Sequence, residues 1–583
     1  MRVGVDTGGT FTDVVAADGR AVKVPSTPAD PSAAVADGIA RVGGATDLAH
    51  GTTVATNALL ERTGGRVALV TTEGFADVIE IARQDRPSLY DAWADRPQPL
   101  VPRHLRLEVR ERMGPGGRAI VAPGLVPHVP ADVDAIALCL LHADLNPAHE
   151  HAVAHELRSR GHDVTVSSEL APEFREYERL VTTVVNAYLR PVCRPYLTAL
   201  GRLAPAVTVL TSAGGLVAVE DAAVRPVALL LSGPAGGVLA AAGAALAAGF
   251  PDAVSFDMGG TSTDVCLIRD GRPAPAAQRS VGGLPIRLPA LDVHTIGAGG
   301  GSVATIDRGG ALTVGPRSAG AVPGPACYGR GGREPTVTDA DLVAGRLMAG
   351  TALPGIGELS RPRAEAALDG LDPVGVISVV DASMVEAVRA VTVRRGVDPR
   401  GLALIAFGGA GPLHACAVAE ALGMRAVVVP PQAGVLSAAG VLASPRQVDL
   451  VRSGSFTADD VGRVVGALAA SAAAAVGDGA EVETAVDCRY PGQGRELTVG
   501  TVAKFEDEHE RVNGYRRPGT PIEVIAVRAT ARVAAPTVRP RVGAARREPV
   551  VGPRAVAEPD CAVWVADGWT ARVHPSGAWV MTR

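Results

Sequence analysis

Two acidic, glycine-rich stretches carry the plainest chemistry in this chain. Asp6 to Val14 reads DTGGTFTDV and Asp257 to Val265 reads DMGGTSTDV, with seven of the nine positions identical. In each, an Asp closes an apolar run, a Gly-Gly pair turns the chain, a Thr follows, and a second Asp (Asp13, Asp264) lies on the return. Glycine has no Cβ to keep a ligand away, so the backbone N–H groups of such a turn can approach phosphate oxygens, and the Thr hydroxyl adds a donor. An Asp at a strand end suits Mg2+, which takes oxygen ligands and keeps part of its water shell. One such hairpin alone is more often an ordinary turn than a site. A facing pair can hold a nucleoside triphosphate and its metal from both sides, and phosphoryl transfer rests on that positioning and charge neutralisation.

The elements that would hold these residues repeat as well. Both copies read as strand, Gly-Gly turn, strand, Asp-Gly turn (Asp18-Gly19, Asp270-Gly271) and strand, which is a three-stranded meander with turn chemistry at each corner. A repeated unit of that size implies two related domains. Helical spacing runs through 55–62, 147–161 and 172–200. The segments LLLSGPAGGVLAAAGAALAAG, ALIAFGGAGPLHACAVAEALG and AVVVPPQAGVLSAAGVLAS each read as strand, small-residue loop and helix. After Arg446 an Ala-rich helix gives way to short β-like runs, and this last part reads as a separate small β-rich domain.

A chain of 583 residues is too long for one compact core. Its net charge of −5, with 47% hydrophobic and 20% charged residues, speaks against a general nucleic-acid or membrane-surface role. Seven scattered cysteines with no CxxC pair fit a reducing cytoplasm better than a disulfide framework or a zinc finger. Asp6 falls where a secretion signal needs its apolar stretch. The run 237–250 is short and built of small residues, so it reads as a packed helix rather than a membrane span.

The order of hairpin (6–13), Gly-rich helix SGPAGGVLAAAG, hairpin (257–264), FGGAGP and GVLSAAGVL resembles the five-motif signature of the actin, heat-shock 70 and sugar-kinase superfamily. Longer motifs sharpen the likeness. HGTTVATNALLER, APEFREYER, TTVVNAYLRP, LLSGPAGGV, HTIGAGGGS, GPACYGRGG and AFGGAGPLHA resemble the hydantoinase A/oxoprolinase family over nearly the whole chain. The resemblance implies an α/β fold in which two ribonuclease-H-like ATPase domains close over ATP, followed by the β-rich C-terminal domain. The corresponding boundaries are 1–170, 171–446 and 447–583. It implies ATP and Mg2+ as cofactors, a cyclic amide as substrate, and a hydantoinase B-like partner in a hetero-oligomer. The chemistry implied is phosphorylation of a lactam or hydantoin carbonyl oxygen to drive ring opening. An acetone- or acetophenone-type carboxylase subunit shares the same nucleotide machinery and is the alternative, and a nucleotide-driven conformational protein or a free-standing sugar kinase stands further off.

On that likeness Asp6 and Asp257 are the candidate catalytic pair and organise Mg2+. The backbones of Gly8, Gly9, Thr10, Gly259, Gly260 and Thr261 hold phosphates, Gly299 and Gly300 approach the nucleotide, and Gly408 and Gly409 line its adenosine side. His50, His294, Cys327 and His414 are further candidates, each balanced against an ordinary structural role. Two departures from the family pattern stand out: a shorter final region after Arg446, and Asp341 in TDAD where the family motif has Asn.

Overall fold

The computed structural model describes all 583 residues except 10, 28–29, 92, 349, 351, 354–355 and 536–547. The first half is built on strands β1 (Arg2–Thr7), β2 (Phe11–Ala16), β3 (Ala21–Pro25), β4 (Asp47–Thr52) and β5 (Ala206–Leu210). β1 and β2 pair antiparallel, as do β2 and β3, while β4 pairs parallel with β1 and β5 parallel with β4. The second half uses β6 (Ala253–Met258), β7 (Thr263–Arg269), β8 (Arg272–Pro273), β9 (Ala403–Phe407) and β10 (Ala426–Val429). Its pairing is the same, antiparallel through β8-β7-β6 and parallel through β6-β9-β10. β9 is a wholly buried apolar run, as a central parallel strand covered on both faces must be, and β4 is buried from Leu48 to Thr52 although it carries His50 and Thr52. The repeat read from the hairpins thus extends to the whole strand order.

Six helices matter for the site: α1 (Glu176–Leu200), α2 (Ser232–Ala247), α3 (Val337–Val343), α4 (Pro373–Val391), α5 (Gly411–Leu422) and α6 (Leu436–Ala443). α2 and α6 cross with their backbones in contact. A Cβ added to Gly440 would lie 1.8 Å from the carbonyl oxygen of Gly236, and one on Gly4 of β1 would lie 2.5 Å from that of Ala438. Only glycine permits this approach. The crossing brings the first and second halves together directly beneath the two hairpins.

The sheets run across the boundaries expected at 170 and 446. β5 lies beyond residue 170 yet belongs to the first sheet, so the first half runs to the start of α2 and includes α1. Residues 67–166 form their own four-stranded parallel sheet between β4 and α1. The region 447–583 is not a detached domain. Strands Arg446–Phe456, Glu523–Val533, Glu481–Arg489 and Leu497–Val499 continue the first sheet, while Trp579–Thr582 and Thr570–Val573 add to β10 in the second. An uncovered edge exposes unpaired N–H and C=O groups, and the C-terminal strands cover one edge of each sheet. They also carry a small core of their own around Val486, Tyr490 and Phe505. Among the described residues no helix is long and apolar enough to cross a membrane, and the cysteines are free thiols.

Candidate active site

The two hairpins end on paired carboxylates. Asp6 faces Asp13 across the first, and Asp257 faces Asp264 across the second. Each turn is closed by one backbone hydrogen bond, Gly8 N–H to Phe11 O and Gly259 N–H to Ser262 O, both at 3.0 Å. Gly9, Gly260 and Thr261 stand exposed at the tips, and among the described residues their N–H groups have no hydrogen-bond partner. Thr10 lies outside the described residues.

The four carboxylates lie close enough to act on one another. Burial, reinforced by Asp13, pushes Asp6 up to about 7. Burial, with Asp264 and then Asp6, pushes Asp257 up to about 8. Asp264 is raised to about 6 by burial, against a 2.5 Å hydrogen bond from Thr295 Oγ1. Asp13 is raised by burial and partly relieved by Lys23 Nζ at 2.5 Å. Asp6 Oδ1 is buried without a hydrogen-bond partner, walled by the Cα atoms of Gly51 and Gly233. Asp257 has a single weak donor, Ser437 Oγ at 3.4 Å from α6. A cluster of carboxylates this short of donors would hold its charge only beside a cation, and an all-oxygen set suits Mg2+. Among the described residues no three His, Cys, Asp or Glu side chains are placed to enclose a metal directly.

The other expected glycines divide into two kinds. Gly408 sits at φ +80°, where a Cβ would fall 2.4 Å from Asp257 Oδ1, and its N–H bonds to Ala433 O. Gly409 beside it is exposed, with open space around it. Gly299 and Gly300 are buried, and their N–H groups are taken up by Ser302 Oγ and Gly259 O. A Cβ on Gly299 would lie 2.8 Å from Gly259 O, so this loop braces the second hairpin from behind rather than presenting amides to a ligand.

The remaining candidates separate as clearly. His50 is fully buried in β4, its Nε2 2.7 Å from Tyr196 Oη of α1, and burial pushes it down to about 3. Cys327 is buried with its thiol pushed up by burial, and its N–H is bound by Asp339. Both are structural. His294 pairs with Val265 of β7 and opens onto a groove of about 840 Å3 along α4. His414 is buried between two carboxylates, Asp381 at 2.6 Å and Asp341 at 3.3 Å. No local pattern could have linked these three residues, because they come from three helices.

Fold and site together define a two-lobed α/β protein with a shared carboxylate cluster and open backbone amides at the meeting of its halves. The family model described as hydantoinase/oxoprolinase N-terminal region matches residues 2–161, and the one described as hydantoinase/oxoprolinase matches 179–448. Caprolactamase subunit alpha of Pseudomonas jessenii is 34% identical over 90% of this chain and 86% of its own length. The acetophenone carboxylase gamma subunit of Aromatoleum aromaticum is 34% identical over 71% of this chain and 64% of its own. The crystal structure of the ATP-dependent caprolactamase from Pseudomonas jessenii covers 100% of both chains, with a TM-score of 0.84 and 30% identity. The chain belongs to the hydantoinase/oxoprolinase family.

Proposed function

We propose that this chain is the ATP-using subunit of a cytoplasmic cyclic-amide hydrolase, with two ribonuclease-H-like ATPase lobes. The observation that carries the reading is the pair of hairpins, whose half-buried, poorly satisfied Asp6 and Asp257 act on one another beside open glycine turns. In this reading Gly8, Gly9, Gly259, Gly260 and Thr261 hold the phosphates, Thr10 completes the first turn, and Gly408 and Gly409 border the adenosine. Asp6 and Asp257 hold Mg2+, which when bound would neutralise phosphate charge.

An amide carbonyl is a poor electrophile because nitrogen shares its electrons with it. The lactam oxygen attacks the γ-phosphorus, the bond to the ADP oxygen breaks, and ADP leaves. Water adds to the resulting imidate carbon, the C–N bond breaks with the amine taking the proton, and a second water releases phosphate from the acyl phosphate. A hydantoinase B-like partner would complete the ring-opening half. The strongly exposed Leu89, Tyr90 and Trp93 supply an apolar surface that suits a partner.

The 34% identity to an acetophenone carboxylase subunit favours a second reading, in which the phosphoryl acceptors are bicarbonate and a ketone enolate. One experiment separates the two: ADP release by the chain with its B-type partner, against lactams, hydantoins and ketone plus bicarbonate, with Asp257→Ala as control. Stimulation by one cyclic amide, lost in the control, supports the hydrolase. Stimulation by ketone plus bicarbonate alone supports the carboxylase, and stimulation by none overturns both.

A further inference from the structure

The second lobe contains a buried charge cluster that the proposed chemistry does not use, and it closes a circuit around the nucleotide side of the cleft. From the second hairpin, Gly259 O accepts from Gly300 N–H at 3.0 Å. Gly300 O accepts from both the N–H and the Oγ1 of Thr338, each at 2.8 Å, and so fastens the bracing loop to α3. One turn further along α3, Asp341 is 1% exposed, with its Oδ2 3.3 Å from His414 Nε2. His414 lies in the first turn of α5, which starts straight after the Gly408-Gly409 turn. From that turn Ala410 N–H returns to Met258 O of the hairpin strand at 2.9 Å.

Every step of this circuit is a backbone or hydroxyl hydrogen bond except one. The ionic link from α3 to α5 is the Asp341–His414 pair, beside the Arg346 guanidinium that follows α3 and donates to Leu413 O of α5. The other charged groups facing His414 are Asp381 of α4, which accepts from Nδ1 at 2.6 Å, and Arg346, 3.7 Å from Asp381 Oδ2 and donating to Leu413 O at 3.0 Å. Neither Asp341 oxygen has an aligned hydrogen-bond donor, so that buried carboxylate depends on the imidazolium charge beside it.

We infer that His414, clamped between Asp341 and Asp381, is a positioning residue that fixes the spacing between the phosphate-side hairpin at Gly259-Gly260 and the adenosine-side turn at Gly408-Gly409. The inference rests on the nucleotide reading given above. The clamp acts on nucleotide affinity, because it sets the distance between the two ends of one ligand and touches no reacting atom.

The test is calorimetric titration of the full chain with ATP and Mg2+, comparing the parent with His414→Asn and Asp341→Asn. A clamp predicts a Kd raised about tenfold in His414→Asn and about threefold in Asp341→Asn, at unchanged stoichiometry. A merely structural role lowers the binding-competent fraction instead, and so the stoichiometry, while leaving Kd alone. A Kd within twofold of the parent in folded variants overturns the clamp. If His414→Asn does not fold, the isosteric Asp341→Asn decides alone, by a raised or an unchanged Kd. Failure of the parent itself to bind ATP with Mg2+ overturns the nucleotide reading, an outcome distinct from a parent that binds and variants that bind equally well.

Discussion

Asp257 illustrates what burial among carboxylates does to the stability of a fold. Burial and the neighbouring carboxylates lift it from 3.8 to about 8, so near neutrality the folded chain holds a proton that the unfolded chain releases. The sign follows: this contribution to stability falls as pH rises from 3.8 through about 8, and the loss is complete above that. Asp257→Asn keeps the shape and removes the charge. We expect the ligand-free variant to gain about 1–3 kcal/mol at pH 8.5 and almost nothing at pH 4, by urea denaturation. We expect ATP turnover to disappear at the same time. An unchanged or lower urea midpoint at pH 8.5 would contradict the burial argument. These residues were legible because the hairpin writes its chemistry within nine positions. The partners of His414 were not, since Asp341 and Asp381 reach it only through the packing of α3 and α4 against α5.

At the scale of elements, the crossing of α2 and α6 couples the two halves and also supplies the hydroxyl of Ser437 to Asp257. Gly440→Ala would drive a methyl into the Gly236 carbonyl, and we expect it to cost about 1–3 kcal/mol by chemical denaturation and to lower ATP turnover with it. Gly243→Ala in the same α2 meets no atom within 4 Å and should instead stabilise by about 0.5–1 kcal/mol, since alanine has less backbone freedom to lose in a helix. Equal effects of the two substitutions would mean that close approach is not what selects glycine at 440. The sequence shows these segments as small-residue helices, but which two meet depends on the packing of the whole molecule. The bracing contacts of Gly299 and Gly300 were not legible in the same way, because a glycine that admits a ligand and one that admits another backbone look the same in sequence.

Across the whole molecule, the repeated meander made two related halves legible, yet the ends of the sheets were not, because strand addition at an edge depends on which edges remain open once the core has formed. One buried ionic hub shows how strongly the C-terminal strands belong to the first half. Glu173, just before α1, is reached by Arg528 at 2.6 Å and by Arg287 at 3.0 Å. Arg528 also holds Asp487 at 2.8 Å, and Arg287 holds Glu496 at 3.1 Å, which Arg175 meets at 2.6 Å. The Phe174 ring lies 5.0 Å from both the Arg175 and Arg287 guanidinium groups. The hub therefore ties the first half, a hairpin extension of the second and the C-terminal strands at one point. Glu173→Ala leaves two buried guanidinium groups short of a counter-charge, so we expect a loss of about 3–5 kcal/mol. Glu365→Ala, which breaks an exposed pair with Arg361 on the surface, should stay within about 0.5 kcal/mol. The two outcomes are read together by denaturant melts. If Glu173→Ala melts no earlier than Glu365→Ala, the C-terminal strands are held by their sheet pairing alone, and the hub contributes nothing to joining the three parts of the chain.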